Sequence, residues 1–427
     1  MKMFFPIALA LLLLTGCSRS LRPGQSDVPP GLKARPGVFS DINPRWSHDG
    51  KRIAFLRATP DRKVQLHIID YALTTSLGQP QALLAAELLC PDRPYSPALQ
   101  RYNSPDTLAW SPHDRSIAFE RLEWFILGEN ERLPGTGLWS CDTTTHNVQP
   151  LAAHSSAYKD LFYYYHAPQW SPDGRYFAFV GEGINGQRVI FVRPLQQNTK
   201  EVMPRFDNYQ DSDWPAWRPD EHQNKTVLAF RQGIIHAMAT PTTETLRLLS
   251  PGNTARASAR EIWRMRAESL RPLLKDYRPE LAIAPRAGHL VWSPDGRKLA
   301  FTLTPDANDY TRYALWIMNS DGSRAHRISP ADGRGYLAPV WIDNSHLGAL
   351  SPQHGKFDVI TLSLLDSHKR ILGTIAGSDC DWSPDRRRIV YALPQDTQAR
   401  PFNITTLRLF RTGITLSEQI PANFRRK

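Results

Sequence analysis

The chain has 427 residues, among them 35 Pro, 25 Gly and 12 Trp, and its formal net charge is +11. Short apolar runs punctuated by Pro and Gly are the mark of an all-β chain, and length alone would suggest two or three domains. The positive excess favours anionic partners (lipid headgroups, lipopolysaccharide, acidic glycans, an acidic protein face), and the absence of GxxxxGK[ST], HExxH and GxSxG stretches removes the common nucleotide-loop, zinc-protease and serine-hydrolase signatures.

Residues 1–16, MKMFFPIALALLLLTG, are one Lys and an apolar stretch of signal-peptide length, too short to be a transmembrane helix. The stretch ends in Leu14-Thr15-Gly16-Cys17, which resembles the bacterial lipobox. That resemblance implies that Cys17 becomes the N-terminus and carries acyl chains, enough for stable membrane anchoring. Ser18 stands where an Asp would signal retention in the inner membrane, so the resemblance implies the outer membrane, facing the periplasm. Losing Lys2 with the signal takes the charge from +11 to +10. Residues 17–37 are rich in Pro, Gly, Ser and Arg and read as a flexible tether. Export argues against a nucleic-acid partner, and no nucleic-acid motif occurs.

The body, residues 38–427, repeats one stretch. It appears as RWSHDGKRIAF at 45–55, LAWSPHDRSIAF at 108–119, QWSPDGRYFAF at 169–179 and PAWRPDEHQNKTVLAF at 215–230. It returns as VWSPDGRKLAF at 291–301, PVWIDNSHLGAL at 339–350 and CDWSPDRRRIVYAL at 380–393. Each copy reads as a strand ending in Trp, a tight Pro-Asp-Gly turn and a second strand. The anchors are Trp46, Trp110, Trp170, Trp217, Trp292, Trp341 and Trp382, spaced by 64, 60, 47, 75, 49 and 41 residues. The shortest spacings suit one four-stranded blade, and the longer ones a blade plus an insertion. Further strand pattern follows the hairpins, for example VQLHIIDY at 64–71, QRVIFVRPL at 187–195, YALWIMNSDG at 313–322 and TTLRLFRTG at 405–413.

Two insertions interrupt the repeat. The first holds LEWFILGENERLPG (122–135) and the aromatic run YKDLFYYYHAPQW (158–170), in which strand alternation should bury half the rings. The second, about 254–280 between the fourth and fifth copies, predicts a helix. Ser258 and Glu261 fit a capping box, and Trp263, Ala267, Leu270, Leu274 and Tyr277 make an apolar stripe. Pro272 would kink it. Cys90, Cys141 and Cys380 lack C-x-x-C spacing, so no zinc site is expected, and whether Cys90 and Cys141 pair is left open.

The W-S-P-D-G-R/K-x-I/L-A-F stretch resembles the propeller repeat of the TolB family, which also occurs in prolyl oligopeptidase-type enzymes. The resemblance covers about residues 38–420 and implies a β-propeller, and the seven copies counted in the sequence predict seven four-stranded blades rather than the six of TolB, whose preceding α/β domain has no counterpart between Cys17 and Trp46. In such repeats the strand leading to each Trp lines the central channel. The resemblance therefore makes Asp41, Tyr165, His166, Asp211, Asp213, Arg286, His289, Tyr336, Asp379 and Asp381 candidate channel-mouth binding residues. No catalytic residue, metal or cofactor is assigned. The expected function is a lipid-anchored envelope platform for a protein, peptide or glycan partner. The competing expectation is a channel-centred lyase or hydrolase acting on an anionic polysaccharide.

Overall fold

The computed structural model describes residues 40–58, 63–71, 81–82, 87–88, 107–127, 131–152, 162–183, 188–195, 210–219, 226–234, 243–251, 259–266, 286–305, 310–394 and 405–414. The signal segment, Cys17 and the tether lie outside these residues, as do Cys90, residues 254–258 and residues 267–280.

The described chain is all-β apart from a single 3-10 turn at Tyr310–Arg312. Each of the seven repeated Trp residues ends the first strand of a unit: Ser40–Trp46, Leu108–Trp110, Phe162–Trp170, Gln210–Trp217, Arg286–Trp292, Leu337–Trp341 and Cys380–Trp382. From each of these a meander of antiparallel strands runs outward in chain order. The fourth unit, for instance, continues through Leu228–Ile234, Thr243–Leu249 and Ala259–Arg266. Units two and three share one hydrogen-bonded sheet through a single parallel bridge, Tyr164 to Thr136. The Thr136 hydroxyl fastens that bridge by donating to Tyr165 O (2.9 Å) and accepting from Tyr165 N (3.0 Å).

Strand alternation on both faces puts one large apolar set against each neighbour. Ile42, Leu56 and Leu66 of the first unit pack on Trp110, Ile117 and Phe119 of the second. Ala300, Leu315 and Ile317 of the fifth meet Tyr336, Trp341 and Leu347 of the sixth. The last unit also packs on the first: Val390, Ala392 and Leu407 share a core with Trp46, Phe55 and Tyr71.

The repeated turn has one recurring set of bonds. Ser47, Ser171, Ser293 and Ser383 each donate a hydroxyl to the Asp two residues on (2.6, 2.5, 2.6 and 2.6 Å). The same oxygens accept the amide five residues on, at 2.9 to 3.0 Å. The turn requires a left-handed residue, supplied by Gly50, Gly174 and Gly296. Where glycine is missing, Asp114 and Arg386 take positive φ instead, and both reach back to the preceding unit. Asp114 accepts from His48 N and Asp49 N, and Arg386 Nε donates to Trp341 O.

The repeated Trp is a fastener between units. The indole N–H of Trp110 donates to Arg45 O, Trp170 to Ala109 O and Trp217 to Gln169 O, at 3.0, 3.3 and 3.1 Å. Trp292 donates to Ala216 O and Trp341 to Val291 O, both at 3.0 Å. In every case the acceptor is the carbonyl just before the preceding unit's Trp.

The expected helix in the second insertion is corrected where it is described. Ala259–Arg266 is the outermost strand of the fourth sheet, paired antiparallel with Thr243–Leu249. An otherwise open strand edge gains a full ladder of hydrogen bonds, and this outweighs a helical stripe read from five residues. Trp263 packs edge-on against Phe301, with ring centroids 5.1 Å apart. Glu261, read as a helix-cap partner, instead pairs with Arg264 at 2.7 Å. Cys141 is a buried free thiol in the apolar cluster between the first two units.

Candidate binding cavity

Five of the first strands carry the same irregularity. A bulge falls between Ile42 and Arg45, His166 and Gln169, Asp213 and Ala216, Gly288 and Val291, and Leu337 and Val340. Within each bulge the residue three before the Trp has positive φ: Asn43, Ala167, Trp214, His289 and Ala338. Bulges bend a strand and re-aim its side chains. Pro44, Pro168, Pro215 and Pro339 follow four of these residues, removing an amide where the ladder is already broken.

Below the bulges lies a cavity of about 440 Å³, bounded by units three to seven. Its wall is largely rings: Trp214, Trp217, Trp292, Trp341 and Trp382 with several prolines. Gln169, His289, Asp381 and Arg386 supply its polar side chains. The bulges of units four and five bring Trp214 and His289 together, with ring centroids 4.3 Å apart. Gly288 makes this possible, since a Cβ there would stand 3.0 Å from the Trp214 indole nitrogen. His289 Nδ1 lies 3.2 Å from the Thr302 hydroxyl.

A buried charge network joins three units. Arg231, fully buried, is held bidentately by Glu244 (2.6 and 2.8 Å) and by Asp211 (2.6 Å). Asp213, also fully buried, accepts from Arg188 of the third unit at 2.8 Å and Arg286 of the fifth at 2.7 Å. Burial pushes the Asp213 carboxyl up, but the charges of Arg231, Arg286 and Arg188 outweigh it and hold the group below the usual range. For Glu244 burial dominates over Arg231 and leaves the carboxyl above its ordinary value. A Cβ at Gly233 would overlap the Arg231 guanidinium, so glycine there is the space Arg231 occupies.

The ten residues expected at a channel mouth therefore separate. His289 and Asp381 line the cavity. Asp211, Asp213 and Arg286 come together in the charge network. Asp379 and Asp381 join the last unit to the first, accepting from Asn43 N (2.6 Å) and Trp46 N (2.8 Å). Asp41 is buried and paired with Arg57 at 2.8 Å. His166 is buried, 3.4 Å from Glu182.

Two of the ten are corrected: Tyr165 and Tyr336 are core residues. Tyr165 packs on Phe179 and Phe191 between units two and three. Tyr336 lies between units five and six, its hydroxyl donating to Asp332 at 2.7 Å. Tyr165 lies within its strand and Tyr336 just ahead of the strand Leu337–Trp341, and each ring is buried against the neighbouring unit, where a large ring gains most. Sequence reading missed Trp214, Arg386, Arg188, Arg231 and Glu244. For Trp214 the signal was present: DWPAW sets a second Trp three residues ahead of the anchor, before a Pro.

No family model and no curated protein matches the sequence. Solved structures do resemble the fold. A puromycin hydrolase superposes with a TM-score of 0.56 at 11% identity, covering 91% of this chain and 55% of its own. The β-propeller domain of the Trilobed protease from Pyrococcus furiosus gives 0.50 at 12% identity, covering 88% of this chain and 96% of that domain. TolB from Acinetobacter baumannii gives 0.43 at 16% identity over 78% of this chain and 65% of that one. The chain thus spans about half of the hydrolase and just under two thirds of this TolB. At these identities the likeness shows the fold, a β-propeller, and no more.

Proposed function

We propose that this chain is a seven-bladed propeller, anchored to the envelope by acyl chains on Cys17, that acts as a non-catalytic binding platform, with the ring-walled cavity as its binding site. Its place is the periplasmic side of the outer membrane, and its partner is an envelope protein or peptide. An anionic glycan is the second class that the positive charge of the chain would attract.

The observation that carries this reading is the cavity. It is concave, mostly apolar, and supplied with a few placed polar groups, which is the usual make-up of a ligand site. Asp381, the acid on its wall, is bonded to the Trp46 amide of the first unit, and Asp213 and Asp379 likewise bind groups of neighbouring units. That use of the acids favours binding over acid–base chemistry.

The test is a photo-crosslinking amino acid at position 289, expressed in the lipidated protein in intact cells. The reading expects one dominant adduct that is lost when Trp214→Ala is added. Diffuse labelling unaffected by Trp214→Ala would contradict it. Cleavage of an acidic polysaccharide by the purified protein would turn the assignment toward a lyase or hydrolase.

A further inference from the structure

Arg386 occupies the turn position that Gly50, Gly174 and Gly296 fill in the first, third and fifth units, and it keeps their positive φ, at 59°. A non-glycine residue is disfavoured in that conformation, so the side chain must supply the reason for its presence. Part of the reason is structural. Nε donates to Trp341 O at 2.9 Å, which holds the guanidinium beside a residue of the cavity wall. The rest of the group has no such use. Nη1 lies 3.4 Å from Ser383 O, and Nη2 meets no acceptor among the described residues yet is not sealed from solvent. No carboxylate among the described residues forms an ion pair with it: Asp385 pairs with Arg388 at 3.5 Å, and Asp381 accepts from Trp46 N at 2.8 Å. Burial pulls the Arg386 pKa down against the charges of Asp381 and Asp385. A desolvated guanidinium without a carboxylate partner is stabilised by an anion that reaches it. Gln169 lines the same cavity, and its side-chain amide also has no hydrogen-bond partner among the described residues and is open to solvent.

We infer, building on the binding-platform reading, that the cavity takes the C-terminal residue of a partner peptide: its carboxylate accepts from the open Arg386 N–H groups, its last peptide group bonds to the Gln169 amide, and its apolar side chain lies on the indoles. The polar groups match in kind and in number. A guanidinium edge suits a carboxylate. One side-chain amide, with a donor and an acceptor, suits one peptide group. The rest of the wall is largely Trp and Pro, which suits an apolar or aromatic side chain. An acidic sugar shares the carboxylate and stacks on indoles as well, and Arg386 and Gln169 would serve it equally. Its several ring hydroxyls then need further partners. The other two polar side chains of the wall are engaged, Asp381 by the Trp46 amide and His289 by the Thr302 hydroxyl at 3.2 Å and the Trp214 ring. A peptide end brings no such surplus of polar groups.

The probe is N-acetyl-alanyl-phenylalanine with a free carboxylate, set against its C-terminal amide and against glucuronic acid. Each is titrated calorimetrically into the full-length protein in mild detergent. The expected result is saturable binding of the acid, with the amide weaker by about tenfold, the size of one charge-assisted bond, and glucuronic acid weaker than the dipeptide acid. Arg386→Gly restores the residue that the sister turns carry, so its circular dichroism should be unchanged, and it should bind acid and amide alike. Arg386→Lys keeps the charge without the planar fork and should retain part of the preference. Gln169→Leu should weaken acid and amide together and keep their ratio. A change in cavity shape alone would also lower both affinities, so the acid-to-amide ratio is the deciding readout. Failure of the acid to bind, equal affinities for acid and amide, or a preference that survives in Arg386→Gly would overturn the inference. Glucuronic acid binding more tightly than the dipeptide acid would overturn it in favour of a sugar. A cavity crosslink in cells without dipeptide binding would sink this ligand class alone and leave the platform reading standing; the loss of both would remove both.

Discussion

Arg231 contributes to stability only because three carboxylates meet it. Charges moved from water into a protein cost several kcal/mol each after relaxation, and removing one partner of a satisfied buried pair exposes that cost, about 3–5 kcal/mol. Arg231→Met should therefore lower the free energy of unfolding by about that much, read from urea denaturation. Arg231→Met combined with Glu244→Met should recover a good part of the loss. His67 gives a second residue-scale expectation. Burial first, and then the nearby charge of Arg57, pull its pKa down to about 4. The folded protein holds this imidazole neutral, stacked on Phe55, while the unfolded chain takes up a proton near the ordinary value of 6.5. Its contribution is therefore intact above pH 6.5 and is lost as pH falls toward 4. A His67→Gln variant should show a flatter stability profile across that window. Neither group was legible in the sequence. Arg231 and Glu244 sit on second and third strands, 13 residues apart, and only the sheet register brings them together. The acids before the Trp anchors were legible as a convergent set, but their partners were not.

At the scale of elements, the Trp hairpins were readable because each is local: one aromatic, one Ser-Asp turn, one left-handed residue. What the indole does needed the fold, since its acceptor lies in the preceding unit, 65 residues away for Trp110 and 76 for Trp292. Trp292→Phe removes a donor and strands the Ala216 carbonyl, whereas Trp46→Phe removes a donor that has no acceptor. The first should cost about 1–3 kcal/mol more than the second in chemical denaturation. Equal losses would mean that the indoles matter for packing alone. The strand at Ala259–Arg266 shows where pattern reading fails: Trp263 obeys both periodicities, and an unpaired neighbouring strand decides between them. The bulges went unread for a different reason. Their mark is a Pro two residues before the Trp in four copies, and a Pro at that position fits an ordinary strand end as well as a bulge.

For the whole molecule, the units are cooperative because no sheet can bury both faces by itself. Five joints carry an indole bond, and the joint between the last unit and the first relies instead on Asp379 and Asp381 reaching the Asn43 and Trp46 amides. The proposed lipid attachment belongs to this scale too. Cys17→Ser should move the protein from the membrane to the soluble fraction of the envelope while leaving its circular dichroism unchanged; membrane retention of that variant would argue against the acyl anchor. The account rests most heavily on the claim that five of the repeated indoles fasten unit to unit, whereas the buried N–H groups of Trp46 and Trp382 meet no acceptor among the described residues. Hydrogen–deuterium exchange of the Trp indoles, followed by ¹H–¹⁵N spectra of the unliganded protein, tests it directly. Trp110, Trp170, Trp217, Trp292 and Trp341 should exchange at least tenfold more slowly than Trp46 and Trp382. Equal protection of all seven, or fast exchange of the five, would contradict it.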